Sequence, residues 1–170
     1  LGEEARVPLE NFDLKGKQRS GLRSTNNKYT KLGLKFEILE RDQIINHMED
    51  LKKVSDEWLK ERKADEKGYS LGYFSEKYLC RNRCSVIMQG ETILAFANLW
   101  ETAGQAELSL DLMRYTPKAP AGIMEYLFIQ LMLWGKSQGY QWFNLGMSPL
   151  SGLENHPLAP IWHKVGNVVF

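Results

Sequence analysis

The sequence predicts an α/β fold of α+β character, with helices packed on a mixed β-sheet. Three observations predict it. Strand patterns at Arg83–Met88 and Thr92–Trp100 flank Gln89-Gly90-Glu91 and read as a hairpin. A further strand pattern, Glu107–Met113, follows a turn at Thr102–Gln105. An apolar helix over 122–138 then leads to a strand at Trp142–Met147, and that helix is expected to be a right-handed crossover.

From the N-terminus, Lys15–Lys31 can form a helix whose basic side chains spread around much of its surface, followed by Gly33 and a short strand, Leu34–Leu39. Asp42 is the expected N-cap of a second helix. Ile44, Ile45, Met48, Leu51, Val54, Trp58 and Leu59 keep the helical period to about Lys67, and Gly68 is the expected stop. Trp58 is expected in the core on that face. Tyr69–Phe74 reads as a connector and Ser75–Leu79 as a helical turn. In the crossover helix, Ile123, Met124, Leu127, Leu131 and Trp134 form the buried stripe, and Gly139 marks the exit.

A chain of 170 residues, 43% hydrophobic and 25% charged, can bury a substantial core and holds one domain or one and a half. No signal peptide is recognisable, and both ends read as cuts in a longer protein. The longest dense apolar run, Ile123–Trp134, includes Glu125 and Gln130 and is too short to span a bilayer. Cys80 and Cys84, with His47 distant in sequence, read as reduced thiols rather than a zinc site. The net charge of +1 conceals an asymmetry. Lys15, Lys17, Arg19, Arg23, Lys28, Lys31 and Lys35 lie in an interval without any acidic residue. That block is either a solvated basic face or a contact for phosphate, on an aminoacylated RNA end or on anionic lipid headgroups.

Chemistry is expected near the strand at 107–113. Asp111, by strand alternation, should point opposite to Leu110 and Leu112. It is either the ionic partner of Arg114 or, in a cleft, a proton acceptor or ligand for an amine or hydroxyl, with Arg114 binding phosphate. Main-chain donors from Gly122 onward could hold an anion. A single glycine there weakens any acyl-coenzyme A reading that needs a glycine-rich cradle. Glu125 either emerges at the surface or faces a pocket, to pair with a cationic substrate or Arg114. Ser148, Ser151, Asn155, His156 and His163 lack the spacing of a serine hydrolase, and Lys164 is either a surface residue or an electrostatic substrate contact.

The strings DLKGKQRSGLRSTNNKYTKLGLKFEI (13–38), GYSLGYFSEKYL (68–79), LSLDLMRY (108–115), GIMEYLFIQLMLWGKSQGYQWFNLGMSPLSGL (122–153) and WHKVGN (162–167) resemble the C-terminal catalytic region of the phosphatidylglycerol lysyltransferase (lysylphosphatidylglycerol synthetase) family. The resemblance implies a mixed sheet like that of GCN5-related N-acetyltransferases, within a tandem acyltransferase-like region. Residues 1–39 would end a first such domain, and 40–170 would form most of a second, cut short at its C-terminus. It further implies transfer of an aminoacyl group, commonly lysyl and sometimes alanyl, from charged tRNA to the glycerol headgroup of phosphatidylglycerol at the cytoplasmic membrane face. The alternatives are an acyl-coenzyme A-dependent N-acetyltransferase and a fragment that binds anionic lipid or tRNA without chemistry. By the resemblance, Asp111 and Arg114 carry catalysis. Glu125, Ser148, Lys164, Arg19 and Arg23 contact substrate, and no metal or redox cofactor is called for. The implied partners are lysyl-tRNA and membrane phosphatidylglycerol, with a homo-oligomer of the full-length protein left open.

Overall fold

A computed structural model describes residues 2–66 and 72–149. Six strands form one sheet: β1 (Gly2–Pro8), β2 (Leu34–Leu39), β3 (Cys84–Gln89), β4 (Thr92–Glu101), β5 (Glu107–Tyr115) and β6 (Trp142–Pro149). Their spatial order is β1-β6-β5-β4-β3-β2. All neighbours are antiparallel except β5 and β6, which run parallel as a crossover connection demands. Helices α1 (Ser20–Lys31) and α5 (Ile123–Ser137) cover one face; α2 (Arg41–Asn46), α3 (Met48–Arg62) and α4 (Glu76–Leu79) lie over the other.

Each face has its own core. Leu9, Tyr29, Leu99, Leu108, Leu127 and Phe143 belong to the α1/α5 side, and Ile44, Leu51, Val86, Phe96, Leu79 and Leu112 to the α2–α4 side. The small residues Ala95 and Ala97 lie under α5, where Gly135 also allows close approach. A Cβ there would sit 3.0 Å from Leu108 and 3.1 Å from Leu9. Residues 2–39 supply β1, α1 and β2 to this same sheet and core.

Several elements differ from expectation for local reasons. The basic helix begins at Ser20 rather than near Lys15, because 12–19 form a loop closed by side-chain hydrogen bonds. The long second helix is two helices. Glu40 rather than Asp42 caps α2, through a capping box with Gln43, and the chain breaks at His47 before α3. Helix α3 ends at Lys63 in the left-handed conformation (φ 49°), short of Lys67 and Gly68, which lie outside the described residues. Ile45, expected in the core, is 65% exposed.

One irregularity positions the site. Between the pairs Ala97↔Met113 and Leu99↔Leu110, Asn98 of β4 faces two residues of β5, Asp111 and Leu112. Its buried Oδ1 accepts both of their backbone N–H groups, at 3.3 and 2.7 Å. This β-bulge shifts the alternation by one residue. Leu108 and Leu110 therefore face α1/α5, whereas Leu112 joins the α2–α4 core, so the expected common side of Leu110 and Leu112 does not form.

Candidate active site

Strands β5 and β6 pair over Glu107↔Trp142, Leu108↔Phe143 and Ser109↔Asn144 and, among the described residues, no further. Beyond that fork β6 continues alone with β1, as far as Gly2↔Pro149, while β5 carries on beside β4 to Tyr115. The apex is tied by polar side chains. Arg6 bridges Glu107 at 2.8 Å, the buried Asn144 amide donates to Glu4 and Glu107, and Ser109 Oγ donates to the Asn144 carbonyl at 3.1 Å. Asn144 is thus a structural clamp.

Just past the fork, the bulge turns Asp111 toward the α4 side. Asp111 Oδ1 accepts the Gly72 N–H at 2.9 Å, and Oδ2 accepts the Tyr78 hydroxyl. The Tyr78 oxygen in turn accepts the Trp100 indole N–H at 3.1 Å. Burial, reinforced by the hydrogen bond to Asp111, holds the Tyr78 phenol above its ordinary pKa, so it stays a donor. Gly72 is required by space: a Cβ there would collide with the Asp111 carboxylate and lie 3.2 Å from Leu112 Cβ. Cavities flank this bridge. One of about 390 Å³ is bounded by Tyr78, Trp100, Glu107 and Ser109, and one of about 210 Å³ by Trp58, Glu66, Gly72 and Arg114.

Arg114 is not the partner of Asp111; no hydrogen bond or ion pair joins them among the described residues. Its side chain is 8% exposed and pairs with Glu66, whose two oxygens lie 3.1 and 3.3 Å from Nη2. The guanidinium stacks over Trp58, 3.9 Å from the ring centroid. Trp58 is therefore a half-buried platform for Arg114 rather than plain core packing. Burial lowers the Arg114 pKa, Glu66 acts against that, and Arg62 adds to it. A guanidinium remains charged throughout.

The remaining expected residues scatter. Glu125 is exposed in the first turn of α5, away from Arg114's partners. At the α5 N-terminus, expected to offer main-chain donors, Ala121 and Gly122 are exposed; the Tyr29 hydroxyl of α1 donates to the Ala121 carbonyl and would lie 3.1 Å from a Cβ on Gly122. Arg19 donates to the Asp13 carbonyl at 2.9 Å and its carboxylate at 3.1 Å, and Arg23 to the Leu14 carbonyl at 2.6 Å. Both arginines fasten the loop before α1, leaving Lys15, Lys17, Lys28, Lys31 and Lys35 exposed. Ser148 pairs through its backbone with Glu3. Lys164, Asn155, His156 and His163 lie outside the described residues. Cys84 is buried, which pushes its thiol pKa well up, and Cys80 is also a free thiol.

Sequence reasoning missed Tyr78, Gly72, Asn98 and Glu66. Tyr78 lies on a four-residue helix too short to have a period, and Asn98 sits in an apolar strand where one polar residue marks the bulge. That lone Asn between Ala97 and Leu99 was the available signal.

A family model for the C-terminal region of phosphatidylglycerol lysyltransferase matches residues 1–170. A phosphatidylglycerol lysyltransferase of Bacillus subtilis (strain 168) is 43% identical over 154 residues, 90% of this chain and 18% of that protein. One of Staphylococcus aureus (strain MSSA476) is 38% identical over 171 residues, 100% of this chain and 20% of its own length. Among solved structures, L-PGS from Bacillus licheniformis superposes with a TM-score of 0.82 at 43% identity, covering 98% of this chain and 51% of that one. A C-terminal domain from Agrobacterium fabrum, described as that of a lysylphosphatidylglycerol synthetase, gives 0.83 at 40% identity over 87% of this chain and 47% of its own. The chain spans about a fifth of the length of the curated relatives it matches. The match of the family model along the entire sequence shows that the chain belongs to the phosphatidylglycerol lysyltransferase family, as part of its C-terminal region.

Proposed function

We propose that this chain forms part of the acyl-transfer site of an enzyme that moves a lysyl group from lysyl-tRNA to the glycerol headgroup of phosphatidylglycerol. The observation that carries the reading is Asp111. Its carboxylate is raised on a bulge beside the β5/β6 fork, anchored by Gly72 and Tyr78, and flanked by two cavities. Each oxygen accepts one hydrogen bond and keeps lone-pair capacity for an incoming hydroxyl.

In the proposed step, a glycerol hydroxyl oxygen attacks the aminoacyl ester carbonyl. Asp111 takes the hydroxyl proton as the new carbon–oxygen bond forms. The tetrahedral intermediate then expels the ribose oxygen, which takes that proton back. Ester-to-ester exchange is nearly balanced in bond energy, so positioning supplies much of the acceleration. Arg114 serves a phosphate oxygen of lipid or tRNA. Glu125 and Lys164 are proposed substrate contacts, as is Ser148. Arg19 and Arg23 act by holding the loop that displays Lys15 and Lys17 to phosphate. Among the described residues no helix is long and apolar enough to cross a membrane, so this part would meet the cytoplasmic bilayer surface from outside the hydrocarbon. Glu125 in the first turn of α5 places a negative charge where a pyrophosphate would sit and argues against an acyl-coenzyme A donor.

The test is transfer from individually charged tRNAs to phosphatidylglycerol vesicles by the full-length protein. Lysyl-tRNA should be the productive donor, and Asp111→Asn should lower the rate by about 100-fold or more, the scale of general-base catalysis. Wild-type rates in Asp111→Asn would remove Asp111 from the chemistry.

A further inference from the structure

Among the described residues, the surroundings of Arg114 hold more positive charge than they pair. Trp58 carries two guanidinium groups, Arg114 at 3.9 Å and Arg62 at 4.5 Å from its ring centroid. Arg62 donates to the neutral Tyr115 hydroxyl at 3.0 Å, and no carboxylate pairs with it among the described residues. Arg114 has Glu66, but off centre. Both carboxylate oxygens lie on Nη2, while the buried Nε has no hydrogen-bond partner among the described residues. A guanidinium presents Nε–H and Nη2–H side by side, and an oxyanion seated squarely on that edge takes both. A buried donor left unpaired is a standing cost that a better-shaped acceptor would remove.

We propose that Arg114, Trp58 and Arg62 form a phosphodiester site, and that Glu66 covers part of it when empty and withdraws when the ligand is seated. The inference rests on the lysyl-transfer reading and deepens it by naming the residues that receive the phosphate. A phosphodiester offers two non-bridging oxygens that share its negative charge, one each for Nε and Nη2. The charge of Arg62, which has no carboxylate partner among the described residues, draws it toward the cavity of about 210 Å³ that Trp58, Glu66 and Arg114 share. Glu66, 29% exposed on its side chain, can swing toward solvent without leaving a buried charge behind. Ligand and Glu66 therefore compete for one edge of one side chain, and removing the Glu66 charge should favour the ligand. A lipid headgroup and an RNA backbone share this chemistry.

The test is an NMR titration of the intact chain, following the Arg114 Nε–H resonance. Glycerophosphoglycerol, the deacylated headgroup, is one probe; the dinucleotide cytidylyl-adenosine is the other. At least one should move the resonance downfield. Glu66→Gln should bind it about tenfold more tightly, the scale of an ordinary coupling between competing groups. Arg62→Gln should bind it about threefold more weakly, as expected for one screened charge. The probe that binds at lower concentration identifies the lipid or the RNA as the source, and either result supports the site. An Arg114 Nε–H unmoved by both probes, or a Glu66→Gln chain that binds no more tightly, overturns it. Binding is read without turnover, so the two readings fail separately. A protein that transfers no lysyl group but shows the Glu66 effect keeps the site and loses the reaction. One that transfers lysyl, with Glu66→Gln unchanged in binding and in KM for phosphatidylglycerol, keeps the reaction and loses the site.

Discussion

The two faces of the sheet solve different problems with similar material. Under α1 and α5 the core is apolar and aromatic, and the polar contacts are local ties: Tyr29 to the Ala121 carbonyl, Tyr126 to the Leu34 carbonyl, Gln130 to Asn26. Under α2–α4 a second apolar core shares its face with Asp111, Arg114, Glu66, Tyr78 and Asn98, and two of their buried donors, Arg114 Nε and Asn98 Nδ2, lack a partner among the described residues. The first face is optimised for holding. The second keeps polar groups half-satisfied at the same strand, as sites that must bind something else tend to do. Substitutions on the two faces should therefore separate stability from activity.

The largest stability effect is expected on the α1/α5 face. Leu127→Ala removes a fully buried side chain and should cost about 2–5 kcal/mol in chemical denaturation, with transfer per folded molecule unchanged. Gly72→Ala should do the reverse. Its Cβ displaces the Asp111 carboxylate, so transfer should fall by up to about 100-fold while the unfolding midpoint hardly moves. A midpoint loss like that of Leu127→Ala would break the comparison. Tyr29→Phe deletes one hydrogen bond at the α5 N-terminus and should cost about 0.5–1.5 kcal/mol, read by denaturation, without loss of transfer.

The smallest effect concerns the Arg83–Glu101 pair at the end of β4, which also receives Tyr140. Burial pushes the Glu101 carboxyl up, but hydrogen bonds from Arg83 and Tyr140 outweigh it and hold the pKa below the ordinary carboxylate value. A depressed carboxyl stabilises the fold above its unfolded pKa, about 4.3, and that contribution is lost as pH falls through the folded value. Glu101→Gln should therefore be less stable than wild type at pH 7, with the gap closing below about pH 4. A gap of equal size at acid pH would mean that the charge is not its cause.

Much of the scaffold was readable from one sequence because its signals are local. The hairpin at Gly90 (φ 61°), the helix from Ile123 and the strand at Trp142 each carry their own pattern within a short window. Asp111 and Arg114 were singled out for the same reason, as charges on an apolar strand. What did not show was what each one touches. Asp111 meets Tyr78 and Gly72, and Arg114 meets Trp58 and Glu66, across separations of 33 to 56 positions that no periodicity records. The break at His47 was equally hidden, because Ile44, Met48 and Leu51 keep helical spacing straight across it.

The bulge opposite Asn98 acts as a parity switch in β5. Without it, Leu108, Leu110, Leu112 and Arg114 would all point to the same side, and a guanidinium would be driven beneath α5 into the apolar layer of Leu108, Leu127 and Phe143. One inserted residue divides the strand into a half that belongs to the scaffold and a half that belongs to the chemistry. A single-residue deletion within Asp111–Leu112 would then exchange those allegiances for everything downstream, making this short stretch far less tolerant of length change than of substitution.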